Sequence, residues 1–463
     1  MRAPGDVLLV STYALGHAPV ALASAAAFLE RAGFDPDCLD AAVDAIDDER
    51  LARARVIALS VPMHTALRLA MPIYERARRL APTAKVGFFG VYATLHGEEL
   101  VRRGADFVLG GECEQELVAV VDALERGTDV APWCPAPPTL DKLAFPVPSR
   151  RRLPLDARHV RMVDEHGVAR VAGQTESSRG CLHLCRHCPI PAVYARGDDG
   201  AIGARGRFFV VPADVVLADV AQLVDAGATH VTFADPDFLN GPRHAIHVAR
   251  ALHARFPAVT FDVTAKVEHL LAHQALLPEL RALGCAFVVS AVESLSDVVL
   301  ARLAKGHDRA DVEQLITAMA TADLPLRPTL LPFTPWSTLA DHLELLELVD
   351  RHGLQDAVDP VQLAIRLLLP AGSLLLDDDV VRAALVDRDA PEPASFTHRW
   401  RHADPRLDAL HATSMAIVED AAARDAPAVE THARLRAAAG LGPGRAKVRP
   451  TKRVPHLTEP WFC

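Results

Sequence analysis

Three cysteines, Cys181, Cys185 and Cys188, share one short string, RGCLHLCRHCPIP. The Cys-x-x-x-Cys-x-x-Cys spacing puts three thiolates on a single tight loop. A cubane iron–sulfur cluster normally takes four thiolate ligands. Three leave one iron open to a small molecule, so the pattern points to a catalytic cluster, since an electron-transfer cluster would normally be closed. Structural zinc is the competing reading, with His183 or His187 completing a Cys3His site. Zinc ligands usually come as two separated pairs, however, and the next cysteine along the chain is Cys285. Buried, inert cysteines fit poorly with a loop this rich in Arg and His.

Other residues able to do chemistry follow short apolar runs. Asp235 and Asp237 lie in ADPDFLNG, Lys266, Glu268 and His269 in AKVEH, and Ser290 and Glu293 in SAVES. Carboxylates there can accept hydrogen bonds from the ammonium and hydroxyl groups of a ligand. They can equally cap the helices that follow. Arg366 stands in the apolar run QLAIRLLLP, where a charge requires a partner: a barrel carboxylate or an anionic ligand. His64 is a candidate pocket residue, although a lone histidine is more often structural.

The elements that must position these residues form two strand–helix series. In the first, strands are expected at Val7–Ser11, Val56–Val61, Val86–Phe89 and Phe107–Leu109, with a weaker one near Cys38–Leu39. Helices are expected at Val20–Ala32, Thr65–Leu80, Gly97–Arg103 and Glu114–Glu125. Such alternation argues for a parallel sheet covered on both faces, with ligands beyond the carboxyl ends of its strands. His17, Gly90 and Gly111 fall at those ends; the glycines also read simply as turn residues. No G-x-G-x-x-G follows the first strand, so an ordinary dinucleotide site is not expected.

Gly127–Pro154 is proline-rich, which favours extended backbone, and a linker is expected over 127–160. The second series has strands at Arg170–Thr175, His230–Phe233, Thr260–Val263, Ala286–Ser290, Leu326–Leu330 and Val361–Leu367, with helices between them. Six repeats make a barrel open on one side, whose chemistry belongs in the loops after the strands. The cysteines, both aspartates, Lys266 and Glu293 all fall in those loops. The division expected is 1–126, 127–160, 161–376 and a helical extension with tail over 377–463.

Half of the 463 residues are hydrophobic and 23% are charged, as in an ordinary soluble protein. The net charge of −10 disfavours a nucleic-acid backbone as the main partner. No apolar run reaches the length of a membrane span, and the start lacks a signal-peptide pattern. Eight cysteines in a chain this long do not make a disulfide framework, so a reducing cytoplasm is expected.

On these motifs the chain resembles radical SAM enzymes with an N-terminal cobalamin-binding-like domain. The resemblance runs from about residue 5 to 376. It implies an α/β fold: a Rossmann-like domain, a partial (β/α)6 barrel and a small helical extension. It implies that Cys181, Cys185 and Cys188 hold a [4Fe–4S] cluster whose open iron chelates S-adenosylmethionine (SAM). His187 matches the position beside the adenine. FADPDF resembles the element that places Asp235 and Asp237 near the methionyl amine, and SAVES the strand whose glutamate, Glu293, faces SAM. Ser290 and Lys266 are expected at the same cofactor, and Glu268 and Arg366 near substrate.

The implied activity is reductive cleavage of SAM to a 5′-deoxyadenosyl radical acting on a small-molecule or peptide substrate. A flavodoxin- or ferredoxin-type electron donor would serve it. The alternatives are an iron–sulfur redox protein without SAM chemistry, and a cobalamin-binding module with a vestigial barrel. The base-displaced Asp-x-His-x-x-Gly motif is absent, since the chain has only GHAP around His17. The first domain therefore either holds cobalamin without a histidine ligand, in a pocket near His17, His64, Gly90 and Gly111, or binds nothing. The strings STYALGHAP, FDVTAKVEHLL and EPWFC further resemble a subgroup whose tail reads Cys-Cys-Ala-Glu-Pro, or the same with selenocysteine second. On that resemblance Cys463 precedes a UGA codon read as a stop.

Overall fold

The computed structural model describes residues 1–128, 134, 138–197, 199–386, 391–442 and 453–459. The first sheet contains β1 (Val7–Ser11), β2 (Asp37–Asp40), β3 (Val56–Ser60), β4 (Lys85–Phe89) and β5 (Phe107–Leu109), all parallel, in the order β2-β1-β3-β4-β5. Every residue of β1 and β3 is buried, as a sheet covered on both faces requires. Successive side chains of β1 point to opposite faces. Leu8 and Val10 join the core beneath the helix His64–Leu80, while Val7 and Leu9 join that beneath Val20–Arg31 and Glu114–Glu125.

The second sheet is built from β6 (Arg161–Val163), β7 (Ala169–Thr175), β10 (His230–Phe233), β11 (Thr260–Thr264), β12 (Cys285–Glu293), β13 (Leu326–Leu330) and β14 (His456–Leu457). Its order is β13-β12-β11-β10-β7-β6-β14. The strands from β7 to β13 are parallel; β6 and β14 extend the β7 edge antiparallel. A separate ribbon pairs β8 (Ser178–Gly180) with β9 (Phe208–Val210). Helices including Ala213–Asp225, Pro242–Arg255, Arg309–Thr321 and Leu339–His352 cover the outside, where Asp308 and Thr338 form capping boxes.

The sixth barrel position differs from the expected strand Val361–Leu367. Pro360–Leu363 forms a 3-10 turn, and a single parallel bridge joins Phe333 to Arg366. Pro360 has no N–H to give a ladder. The Gln362 side chain takes over part of that work, accepting from the Leu330 amide at 3.1 Å. Arg366 does have partners, but they lie in the C-terminal extension. Its guanidinium stacks 3.6 Å from the Trp400 ring centroid and reaches Asp408 Oδ1 at 2.8 Å and Trp400 O at 2.7 Å. The structure thus joins it to neither a barrel carboxylate nor a substrate pocket.

The segment between the two sheets is stitched to both. Ser149 N donates to Ala23 O at 2.9 Å, and Val160 N to Gly16 O at 2.9 Å. Between them Arg150 forms a two-pronged pair with Asp219, at 2.8 Å on each prong. No described helix is long and apolar enough to cross a membrane.

Candidate active site at the cysteine loop

The cysteine loop leaves β8 through Gly180, at φ +76, and ends where Pro189 opens the helix Pro189–Tyr194. Proline at the first helical position suits that role, because the N–H it lacks would have no partner there. The loop folds back on itself closely. A Cβ on Gly206 would stand 2.1 Å from Cys181 O, so only glycine fits. Asn240 orients the first turn, its Oδ1 accepting from Leu182 N at 3.1 Å and lying 3.7 Å from Cys181 Sγ.

Cys181 and Cys185 are buried and Cys188 is half-buried. Burial pushes the Cys181 thiol up to about 11 and the Cys188 thiol up to about 12, and neighbouring cysteines add to both. Thiols held neutral in this way become thiolates when a metal displaces their protons. The donor set therefore fits a three-thiolate cluster. Burial opposes the charge on Lys305, but Glu293 and then the Cys185 and Cys188 sulfurs outweigh it and hold the ammonium protonated.

Lys305, 2% exposed, also reaches Glu293 Oε1 at 3.2 Å, and His187 Nε2 stands 3.2 Å from the same oxygen. Burial opposes the Glu293 charge, but Lys305 and His187 outweigh it and hold the carboxyl down at about 2. Glu293 occupies φ +64, just past a register shift between β12 and β13, a conformation that costs a non-glycine residue on the order of 1–3 kcal/mol. Such cost is typical of positions that aim a side chain at a site. Lys305 was not anticipated from sequence; a lysine between a short helix and a glycine, in LAKGH, reads as solvated charge.

Asp235 and Asp237 part company. Asp235 accepts from Ser177 N at 2.8 Å, Ser177 Oγ at 2.7 Å and Ser178 Oγ at 2.6 Å, which fixes the start of β8. Burial still pushes it up to about 6. Asp237 caps the turn Phe238–Asn240 through Leu239 N, and its other oxygen faces His269 at 2.7 Å. His183 Nε2 lies 3.0 Å from His269 Nε2, and burial, then Lys266, lowers His183 to about 4. Glu268 lies 3.4 Å from both Lys266 Nζ and His183 Nδ1. Ser290 Oγ is buried without a hydrogen-bond partner.

Beside the loop lies a cavity of about 440 Å³, bounded by the strand ends of both sheets. Ser11, His17, Gly90 and Gly111 line it from the first sheet, and Glu176, Asp235, Thr264 and Arg327 from the second. Gly180 and Ile190, just outside the two ends of the cysteine loop, reach it as well. His17 Nε2 stands 3.0 Å from Glu459 Oε1, so the tail following β14 also borders the cavity. His64 is placed elsewhere: its Nε2 meets Ser395 O at 2.6 Å. It is not among the residues lining the cavity. Cys463 lies outside the described residues.

One wall of the cavity was not foreseen. Arg179 is paired with Glu112 at 3.3 Å and with Glu114 and Glu176 at 2.6 Å each, and Tyr194 Oη donates to Glu112 at 2.8 Å. Burial, reinforced by Glu114, pushes Glu112 up to about 7 against the pull of Arg179. A raised carboxyl keeps its proton in the folded chain while the unfolded chain loses it. Stability therefore falls as pH rises from about 4.5 to about 7. Glu112→Gln cannot titrate, so its melting temperature relative to the parent is expected to rise between pH 5 and pH 7.5. A pH-independent difference in melting temperature refutes this.

Comparison with known proteins agrees with this geometry. Residues 175–346 match the radical SAM superfamily and residues 7–121 the B12 binding domain. A curated relative, the tRNA-2-methylthio-N(6)-dimethylallyladenosine synthase of Halorhodospira halophila, is 25% identical over 299 residues. That match spans 60% of this chain and 56% of the relative. Among solved structures, the cobalamin-dependent SAM radical enzyme OxsB with aqua-cobalamin bound superposes with a TM-score of 0.63 at 14% identity, over 90% of this chain and 67% of that one. The radical SAM methyltransferase TsrM of Kitasatospora setae, with cobalamin and a [4Fe–4S] cluster bound, gives 0.59 at 18% identity, over 75% and 73%. The expected α/β architecture is thereby shown. A radical SAM domain carries a [4Fe–4S] cluster and SAM, and a B12-binding domain carries cobalamin. The matches reach these classes and stop short of the tail subgroup.

Proposed function

We propose that this enzyme, in which a B12-binding domain precedes a radical SAM domain, modifies a small molecule held between its cobalamin and its cluster-bound SAM. One observation carries the reading: a single cavity meets the strand ends of the first sheet and both flanks of the cysteine loop. Its volume of about 440 Å³ suits a small substrate. When bound, the cluster and SAM supply a 5′-deoxyadenosyl radical, and cobalamin supplies a carrier for a one-carbon group.

The chain's own residues have separate tasks. Cys181, Cys185 and Cys188 hold the cluster, and Lys305 balances the negative charge gathered on that loop. His187, Glu293 and Ser290 flank SAM; the unpartnered Ser290 hydroxyl has a hydrogen bond to give. Asp235 acts indirectly, by fixing Ser177 and Ser178 ahead of the loop. On the first sheet, Ala14, Gly90 and Gly111 line the cavity where cobalamin would sit. His17, already committed to Glu459, is not offered as a cobalt ligand. The net charge of −10 supports a small substrate over a tRNA of the kind the curated relative is named for.

The test is anaerobic reconstitution with iron, sulfide and cobalamin, followed by dithionite and SAM. 5′-Deoxyadenosine, with cobalamin retained through gel filtration, is the expected result. No deoxyadenosine from a protein carrying its full iron content overturns the reading.

A further inference from the structure

We propose that His183, His269 and Asp237 form a second metal site, for a divalent transition metal such as zinc, next to the cysteine loop. These three side chains bring ligand atoms within 4.8 Å of one another. His183 Nε2 lies 3.0 Å from His269 Nε2 and 3.9 Å from Asp237 Oδ2. Around a tetrahedral zinc with bonds near 2.0–2.1 Å, neighbouring donors stand about 3.4 Å apart, a value that the two separations from His183 bracket, while the third, from His269 to Asp237, stays within 4.8 Å. Small side-chain rotations would bring all three onto one ion.

The second observation is a buried carboxylate oxygen without a hydrogen bond. Asp237 is fully buried, and its Oδ2 has no hydrogen-bond partner; nor has His269 Nδ1, although the two stand 2.7 Å apart. Their approach lacks the alignment a hydrogen bond needs. A buried carboxylate oxygen left this way costs free energy unless something else satisfies it, and a cation shared with the two imidazoles would do so.

The surroundings match those of a metal-binding histidine. Such a histidine usually gives its second ring N–H to a carboxylate, which fixes the ring's orientation. Glu268 Oε2 lies 3.4 Å from His183 Nδ1, near enough to take that role once the ring turns toward it. Glu268 is itself held by Lys266 Nζ at 3.4 Å, and a Cβ on Gly306 would lie 2.5 Å from its Oε2. Asp237 and Glu268 carry two negative charges and Lys266 one positive, so the group is net negative and attracts a cation. The three ligands come from the cysteine loop, the loop after β10 and the helix Val267–Ala272 after β11, so the ion would tie that loop to two barrel strands. The inference does not depend on any catalytic turnover.

The test uses cluster-reconstituted full-length protein equilibrated with zinc, with zinc and iron counted by mass spectrometry and the zinc shell read by X-ray absorption. About one zinc per chain is expected, ligated by nitrogen and oxygen at 2.0–2.1 Å without sulfur at 2.3 Å. His269→Ala and His183→Gln are each expected to lose the zinc while iron content stays at the parent level. Glu268→Gln should weaken zinc binding about tenfold or more. The triple Cys→Ala chain, which has no cluster ligands, should keep its zinc. Failure of the parent to hold zinc, sulfur in the zinc shell, or zinc retained in both histidine variants overturns the proposal.

Discussion

Lys305→Met is expected to strip iron from the reconstituted protein and to lower its unfolding free energy by about 3–5 kcal/mol, the usual cost of leaving one partner of a buried ion pair behind. Two roles end together in this variant. Glu293 loses the ammonium at 3.2 Å and keeps only His187, while the thiolates of Cys185 and Cys188 lose a facing cation. A cubane cluster bound by three thiolates carries net negative charge, so a buried ammonium favours its assembly. The pH dependence separates the two roles. In the parent, the depressed Glu293 carboxyl contributes stability that is complete above its ordinary value of 4.5 and lost only as pH falls through about 2. In the variant, burial raises the Glu293 carboxyl with less to oppose it, so protonation at lower pH relieves its own burial. The gap in melting temperature between parent and variant should therefore be wide at pH 8 and narrower at pH 5.5. An equal gap at both pH values, with iron content intact, sinks the argument.

Residues that announce themselves by type were legible in the sequence. The cysteine spacing located the loop, and Glu293 could be set beside it only through the resemblance of SAVES to a radical SAM strand segment. Strand positions were readable where both faces are covered: β1, β5, β10 and β13 start and stop where the apolar runs do. Short elements were less visible. Asp48–Arg53 and Val91–Leu95 are too brief to show periodicity, although Asp47 caps the first by accepting from Glu49 N and Arg50 N. The expected sixth strand failed for a different reason. Val361–Leu367 is apolar enough, but Pro360 and the side chain of Gln362 satisfy the neighbouring strand another way. Lys305 and the Glu112–Arg179 cluster stayed hidden because nothing local marks a charge as buried. Only the long-range fold, which sets Arg179 against Glu112 and Glu114 across 67 and 65 residues of chain, makes them a site.

Asp219→Ala is expected to cost about 3–5 kcal/mol and to open the cavity between the two sheets. Asp219 has no solvent exposure and receives both prongs of Arg150 at 2.8 Å, together with Thr175 Oγ1 at 2.8 Å. Removing it strands a buried guanidinium, whose remaining acceptor is Gln174 O at 2.7 Å. The effect travels because of where these residues sit. Arg150 follows Ser149, which is bonded to Ala23 in the first sheet's layer, whereas Asp219 belongs to the helix Ala213–Asp225 packed against β7. Thr175 closes β7 two residues before Ser177, the partner of Asp235. Losing the pair therefore loosens the interdomain stitch and the approach to the cysteine loop at once. Chemical denaturation should show the lower midpoint, and faster proteolysis within 138–160 should accompany it. Replacing both partners, Arg150→Met with Asp219→Leu, should recover much of the stability, since two apolar side chains leave no charge unpaired. A double variant no more stable than Asp219→Ala would assign the loss to packing, and the ion pair would then not be what joins the two halves of the site.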